Sequence, residues 1–358
     1  MYKYFAFRIY MKNKLRLFFI ALVALTVCSC GRERDQYIVI EGYAQGGVYS
    51  VTLNLKGVKV DKYEIRDSIE AILHNVDTTL SGYNKNSQLS RFNAGDAVVP
   101  NGLFVDMYAR ARDIYDETGG VVDAACGPLF DLWGFGFKTG EMPDDETVKQ
   151  VKEDSGMQRL RSDIGADELL TGHDLLKADA GQALPQLNYN AIAQGYSCDL
   201  VAEYLYSIGV KDMLVNIGEI FCDGKNPSGQ QWTIGIDRPV DGNNELGAQL
   251  QGVFSVPAGA HGVVTSGNYR KFYIKDGKKY AHSIDPRTGY PVTHSLLSAT
   301  IIADDAITAD AYATYCMVVG LEASRELLSA RDDMEACFIY DDGGVFKTWC
   351  THGFLLEE

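Results

Sequence analysis

Residues 37–56 alternate apolar and polar side chains, and just behind them Asp61–Leu80 carries Ile65, Ile69, Ile72, Leu73 and Val76 on one helical face. This switch from period two to period 3.6 constrains the fold more than any other feature, because a strand pattern cannot sit still as a helix. The switch recurs. Leu103–Thr118 reads as a second helix stopped by Gly119-Gly120, and Ala191–Ile208 as a third ended at Gly209, with a strand over Met213–Ile220 behind it. Phe272–Ile284 holds Asp276-Gly277 between apolar-rich flanks, a two-residue hairpin signal. Leu297–Ala303 predicts a strand, Thr308–Val319 and Leu321–Ala330 two helices, and Phe338–Tyr340 with Val345–Trp349 a closing hairpin. The polar stretch 141–155 reads as a surface excursion. Helices set between hairpins predict an α+β fold rather than a doubly wound parallel sheet.

The N-terminus carries Lys3, Arg8, Lys12, Lys14 and Arg16 with no acid before Glu33, followed by an apolar stretch from Leu17 to Val27. That stretch falls short of the roughly 20 residues needed to span a bilayer. A basic head, a short apolar middle and small residues at the end describe an export signal. The ending Val27-Cys28-Ser29-Cys30-Gly31 resembles a bacterial lipobox, with Cys30 as the acylated residue because Ser29 is small where Val27 would crowd cleavage. The expected division is a signal over 1–29, a tether over 30–36 and one compact domain over 37–358. Losing 1–29 removes five of the 33 Lys and Arg residues against 48 acidic ones, so the body is strongly acidic. Such a balance argues against nucleic acid as a partner, and leaves membrane attachment to the lipid. Beyond Cys30, six cysteines are scattered without a CxxC pair or zinc-ligand spacing, and read as buried thiols.

Four segments could carry chemistry. Leu80–Asn93 is a polar loop in which Tyr83 either offers its ring to a planar ligand or packs into a turn. Gly119–Gly136 places Asp123 alone in an apolar run, beside glycines that allow close backbone approach. Asn188–Asp199 opens a helix, where unpaired N–H groups attract anions; Asn190 is equally a candidate N-cap. The last joins Thr265–Arg270, His282–Pro291 and Ala309–Thr314. Asp310 and Thr314 are i, i+4, so a carboxylate and a hydroxyl leave one helix face, hard oxygen donors suited to Mg2+. His282 precedes a Pro- and Gly-punctuated turn, where an imidazole can accept a proton.

In chain order, LSGYNKNSQLSRFN, GPLFDLWGFG, AIAQGYSCD, LVNIGE, TSGNYRKF, HSIDPRTGYPV and ADAYATYCMVVG resemble the motifs of the ApbE family of FAD:protein FMN transferases, over residues 42–350. The resemblance implies one compact α+β domain of mixed or antiparallel sheets flanked by helices, exported and held by a lipid facing the periplasm at the inner membrane. It implies FAD contacts at Gln45, Tyr83, Val121, Val122, Asp123, Asn188, Gln194 and Ile284. It also implies Mg2+ on the side chains of Asp310 and Thr314 and the backbone carbonyl of Ala191, and His282 as general base. Asn188 stands where the family commonly has aspartate, Gly47 where threonine is usual, and Gly218-Glu219 where a double glycine is common. The implied reaction moves FMN from FAD to a threonine hydroxyl of an acceptor protein, such as a subunit of a membrane redox pump, and releases AMP. Two alternatives are a Mg2+-dependent FAD pyrophosphatase, with water in place of threonine, and a flavin-binding lipoprotein without chemistry.

Overall fold

A computed structural model describes residues 36–135, 142–240, 243, 247–268, 272–275, 278–281 and 283–357. The expected signal, tether, Cys30 and His282 therefore lie outside the described residues, apart from Gln36.

The period-two start of the chain forms β1 (Tyr37–Ala44) and β2 (Gly47–Asn54), an antiparallel hairpin. Helix α1 (Lys62–Leu80) follows; Asp61 caps it by accepting from Tyr63 N, and Ile65, Ile69, Leu73 and Val76 are its buried face. A short α2 (Gln88–Asn93) leads to α3 (Gly102–Glu117), whose N-cap Asn101 accepts from Phe104 N. Next come α4 (Gly127–Leu132) and α5 (Asp145–Glu153). The polar stretch expected as an excursion is thus partly a helix. Asp144 caps it, acids fill its first turn, and Val148 packs with Leu129 and Trp133. After α6 (Gly172–Leu175), α7 (Ala193–Ser207) enters the core through Cys198, Val201 and Leu205.

The strand expected over Met213–Ile220 is two. β3 (Met213–Asn216) and β4 (Ile220–Asp223) pair antiparallel across a turn in which Gly218 adopts φ 101° and donates to Asn216 Oδ1 at 3.1 Å. Asparagine and glycine make this turn from local chemistry that the apolar run masks. The chain continues through β5 (Thr233–Asp237), β6 (Leu250–Ser255), β7 (His261–Gly267), β8 (Phe272–Lys275) and β9 (Lys278–Ala281). Pairing of Lys275 with Lys278 gives the expected two-residue hairpin. Then come β10 (Ile284–Asp285), β11 (Tyr290–Pro291), β12 (Leu296–Ala303), α8 (Ala306–Val319), α9 (Leu321–Ser329), β13 (Glu335–Asp342), β14 (Val345–Cys350) and β15 (Leu356–Glu357).

Eight strands make one sheet in the order β1-β2-β3-β4-β7-β12-β13-β14, every pairing antiparallel. Both faces are covered, as alternation within single strands shows. Val264, Ile301 and Phe338 pack with α8 and α9, while their neighbours Val263, Ile302 and Ile339 pack with Trp232, Ile236 and Phe254 of the β15-β6-β5 layer. Strand β12 is buried along nearly its whole length, Ser298 and Thr300 included. Among the described residues no helix is long and apolar enough to cross a membrane.

Candidate active site

A cavity of about 350 Å³ opens where the starts of α7 and α8 meet the loops after α1 and α3. Tyr83, Val121, Val122, Asp123, Asn188, Ala191, Gln194, Ile284, Asp310 and Thr314 all line it. The fold thus gathers ten of the residues singled out above. Gln45 is not among the lining residues; it sits in the β1–β2 turn at φ 51° and its Nε2 donates to Ser197 Oγ at 2.5 Å.

Each wall is held by its own polar chemistry. Behind α1, Ser81 Oγ accepts from Tyr83 N and Asn84 N, while Ser87 and Ser90 hydroxyls donate to Ser81 O at 2.6 and 3.0 Å. The serines and asparagines of this segment therefore build the loop that carries Tyr83, whose ring is 69% exposed. Asn93, at the loop's end, exchanges two hydrogen bonds with the backbone of Leu187, and Asn188 N donates to Ala124 O at 2.7 Å. Those bonds tie three of the four segments together.

Asp123 accepts from Ala125 N at 2.8 Å and from Met157 N at 3.1 Å. Burial pushes its carboxyl up to about 6, against the lowering effect of those amides and of Arg112. Those bonds tie the turn after Val121 and Val122 to Met157.

Helices α7 and α8 cap one another. Asp199 of α7 accepts from Ala306 N and Ile307 N at 2.8 and 2.9 Å, at the start of α8. Asp310 of α8 accepts from Gly195 N at 3.1 Å, in the first turn of α7. The first ladder bond of α7 runs from Tyr196 N to Ile192 O. Gly195 N–H, one residue earlier, goes to Asp310, which leaves the Ala191 carbonyl outside the ladder. Only glycine fits there, since a Cβ on Gly195 would lie 2.2 Å from Ala306 O.

Asp310 is 5% exposed, and no cationic side chain among the described residues pairs with it. Burial, and then the charge of Glu219, push its carboxyl well above the usual range, with Gly195 N–H opposing. A buried carboxylate beside a second carboxylate is costly until a proton or a cation neutralises it. With the Thr314 hydroxyl and the Ala191 carbonyl on the same cavity, the donor set is oxygen-only, and it fits a hard divalent cation such as Mg2+.

Glu219 and Asn190 also line the cavity, though neither was assigned a ligand role from sequence. Glu219 enters because the β3–β4 turn, pinned by Gln194 Nε2 on Ile217 O at 3.1 Å, carries it to the cavity. Its place in a Gly-Glu pair was its only signal. Asn190 is not an N-cap: Ile192 holds that position with no side-chain bond, and Asn190 Nδ2 instead donates to Tyr83 OH at 3.4 Å. Thr265, Ser283 and Pro286, from the last segment, line the cavity too.

Comparison with known proteins shows the family and the fold. Residues 46–338 match the ApbE family. A protein of Haemophilus influenzae named FAD:protein FMN transferase is 32% identical over 90% of this chain and 92% of its own, and one of Salmonella typhimurium bearing the same name is 32% identical over 88% of each. Among solved structures, the Pseudomonas stutzeri flavinyl transferase ApbE in its apo form superposes with TM-score 0.74 at 31% identity, over 89% of this chain and 95% of that one. The flavin transferase ApbE from Vibrio cholerae gives 0.73 at 28% identity, over 90% and 100%. With a family match across most of its length and its site segments gathered on one cavity, the chain belongs to the ApbE family.

Proposed function

We propose that this protein is an FAD:protein FMN transferase, a Mg2+-dependent enzyme that moves FMN from FAD to a threonine hydroxyl of an acceptor protein and releases AMP. The observation that carries the reading is the meeting of Asp310, Thr314 and the Ala191 carbonyl with Tyr83 and the Val121–Val122 wall on one cavity. The names of the relatives point the same way.

Val121, Val122 and Ile284 offer apolar surface to the flavin, and Tyr83 an exposed aromatic face for stacking. Asp310, Thr314 and Ala191 would hold Mg2+, which when bound supplies positive charge against the pyrophosphate oxygens. The acceptor hydroxyl attacks the FMN-side phosphorus while His282, two residues before the wall residue Ile284, takes its proton. The bond to the AMP oxygen breaks and AMP leaves with the electron pair. The same proposal covers export by residues 1–29, acylation of Cys30 and a site facing the periplasm.

Purified protein incubated with FAD, Mg2+ and a threonine-bearing acceptor should release AMP in step with a gain on the acceptor of the mass of FMN less one water. AMP and FMN with the acceptor unmodified would make water the acceptor and the protein a pyrophosphatase. Bound FAD with no AMP at all would leave a flavin-binding protein.

A further inference from the structure

Cys337 and Cys350 face one another across the β13–β14 hairpin. The next rung joins Ala336 and Thr351, and there Thr351 N donates to Ala336 O at 2.9 Å. Hydrogen-bonded and non-hydrogen-bonded rungs alternate in an antiparallel ladder, so the cysteine rung is non-hydrogen-bonded, the kind in which opposed side chains come closest. Its usual Cα separation, about 4.5 Å, falls within the range a disulfide bridges. The two Sγ atoms are 2.8 Å apart, closer than unbonded sulfurs normally sit. Cys337 is buried, while Cys350 is half-buried.

The remaining described cysteines have other surroundings. Cys126 Sγ donates to Asp123 O and Cys198 Sγ to Glu219 O, Cys316 is on the buried face of α8, and Cys222 lies across the sheet on β4. Among the described residues, only Cys337 and Cys350 share a rung.

We propose that Cys337 and Cys350 are a covalent modification site: a dithiol that closes into an intrachain disulfide on meeting an oxidising disulfide of the glutathione class. Cys350, as thiolate, attacks one sulfur of the donor and expels a donor thiolate. Cys337 then attacks the Cys350 sulfur of the mixed disulfide and expels the second. The protein loses two electrons and two protons, and the donor becomes two thiols. The bond fastens β14, the last strand of the sheet, to β13, whose Phe338 packs with Ala309 and Ala313 on the helix that carries Asp310. It stabilises the hairpin without touching the cavity.

The position of Lys347 makes the test direct, because trypsin cuts between the two cysteines. Full-length protein is treated with oxidised glutathione, alkylated without reduction and digested. The expected product is one species joining Asp332–Lys347 to Thr348–Glu358, which separates on reduction. Its thermal midpoint should exceed that of the reduced protein by several degrees. Cys350→Ser should lose both the species and the oxidant-dependent shift while still binding FAD. Recovery of the two peptides separately alkylated, capped with glutathione, or joined to another cysteine such as Cys222 would overturn the proposal; this wild-type map decides even where the variant folds poorly.

Discussion

Gly195→Ala tests the contact on which the site depends. The added Cβ would stand 2.2 Å from Ala306 O, 2.6 Å from Ala306 C and 2.9 Å from Asp310 Cβ. Carbon contacts settle near 3.5–4.0 Å, so α7 and α8 must part by about 1 Å. The obstacle is backbone, and it is anchored, because Asp199 holds Ala306 N and Ile307 N. Overpacking of this kind costs about 1–3 kcal/mol. Stretching the Gly195–Asp310 bond adds a loss of about 1.5–3 kcal/mol, since the acceptor is charged. Alanine's better helix propensity returns about 1 kcal/mol. A net destabilisation of about 1.5–5 kcal/mol follows, read as a lower urea midpoint at unchanged slope. The Mg2+-induced rise in thermal midpoint should shrink as well, because Asp310 moves with its helix. A variant within about 0.5 kcal/mol of wild type, with full AMP release, would refute the close approach of the two helices.

Tyr83→Ala should weaken FAD binding by about 1–3 kcal/mol, measured by quenching of flavin fluorescence, with the urea midpoint unmoved because the ring is mostly exposed. Asp310→Asn keeps an acceptor for Gly195 N–H but removes the charge; AMP release should fall roughly 10²–10³-fold and Mg2+ should no longer raise the thermal midpoint. Asp123 has its folded pKa raised from 3.8 to about 6, so the stability it contributes is present below about pH 4 and lost as pH rises to about 6. Asp123→Asn, free of that loss, should therefore gain on wild type by about 3 kcal/mol between pH 4 and pH 7 in urea titrations, and an equal difference at both pH values would place the carboxyl's pKa near normal. Cys30→Ala should leave the protein in the soluble fraction or unprocessed, and a variant that is processed and partitions like wild type would remove the acylation site.

What could be read from the sequence follows a physical line. Features written within one turn or one strand were legible: the apolar face of α1, the strand that is β12, and the i, i+4 placement of Asp310 and Thr314. The motif order brought Tyr83, Val121 and Gln194 to one site before any coordinates. Features that exist only through a distant partner were not legible. Met213–Ile220 is a different case: the Asn216–Gly218 bond that folds it back is local, but apolar neighbours on both sides make the stretch look like one strand. Asn190 looks like a cap until Tyr83, from far earlier in the chain, supplies its bond. The same holds for Cys337 and Cys350, whose spacing matches no motif and whose contact is made by strand register.

The exchange of caps between α7 and α8 explains why an expensive group sits in the middle of the molecule. As a cap alone, Asp310 is a poor choice: a serine or asparagine would take the Gly195 N–H without the cost of a buried charge. Glu219 worsens that cost, being the second cause, after burial, of the raised Asp310 pKa. Asp199 sits in the same region, its own carboxyl pushed up to about 7 chiefly by burial. Three carboxylates gather where two helices begin; Arg110 eases Asp199, but no cationic side chain among the described residues acts on Asp310, whose charge a bound cation would offset. Local rules of stability are broken here and kept elsewhere in the same helices, which places the exception at the functional site. Binding a divalent cation would settle both accounts at once, firming the junction of α7 and α8 and setting positive charge where a pyrophosphate must be held.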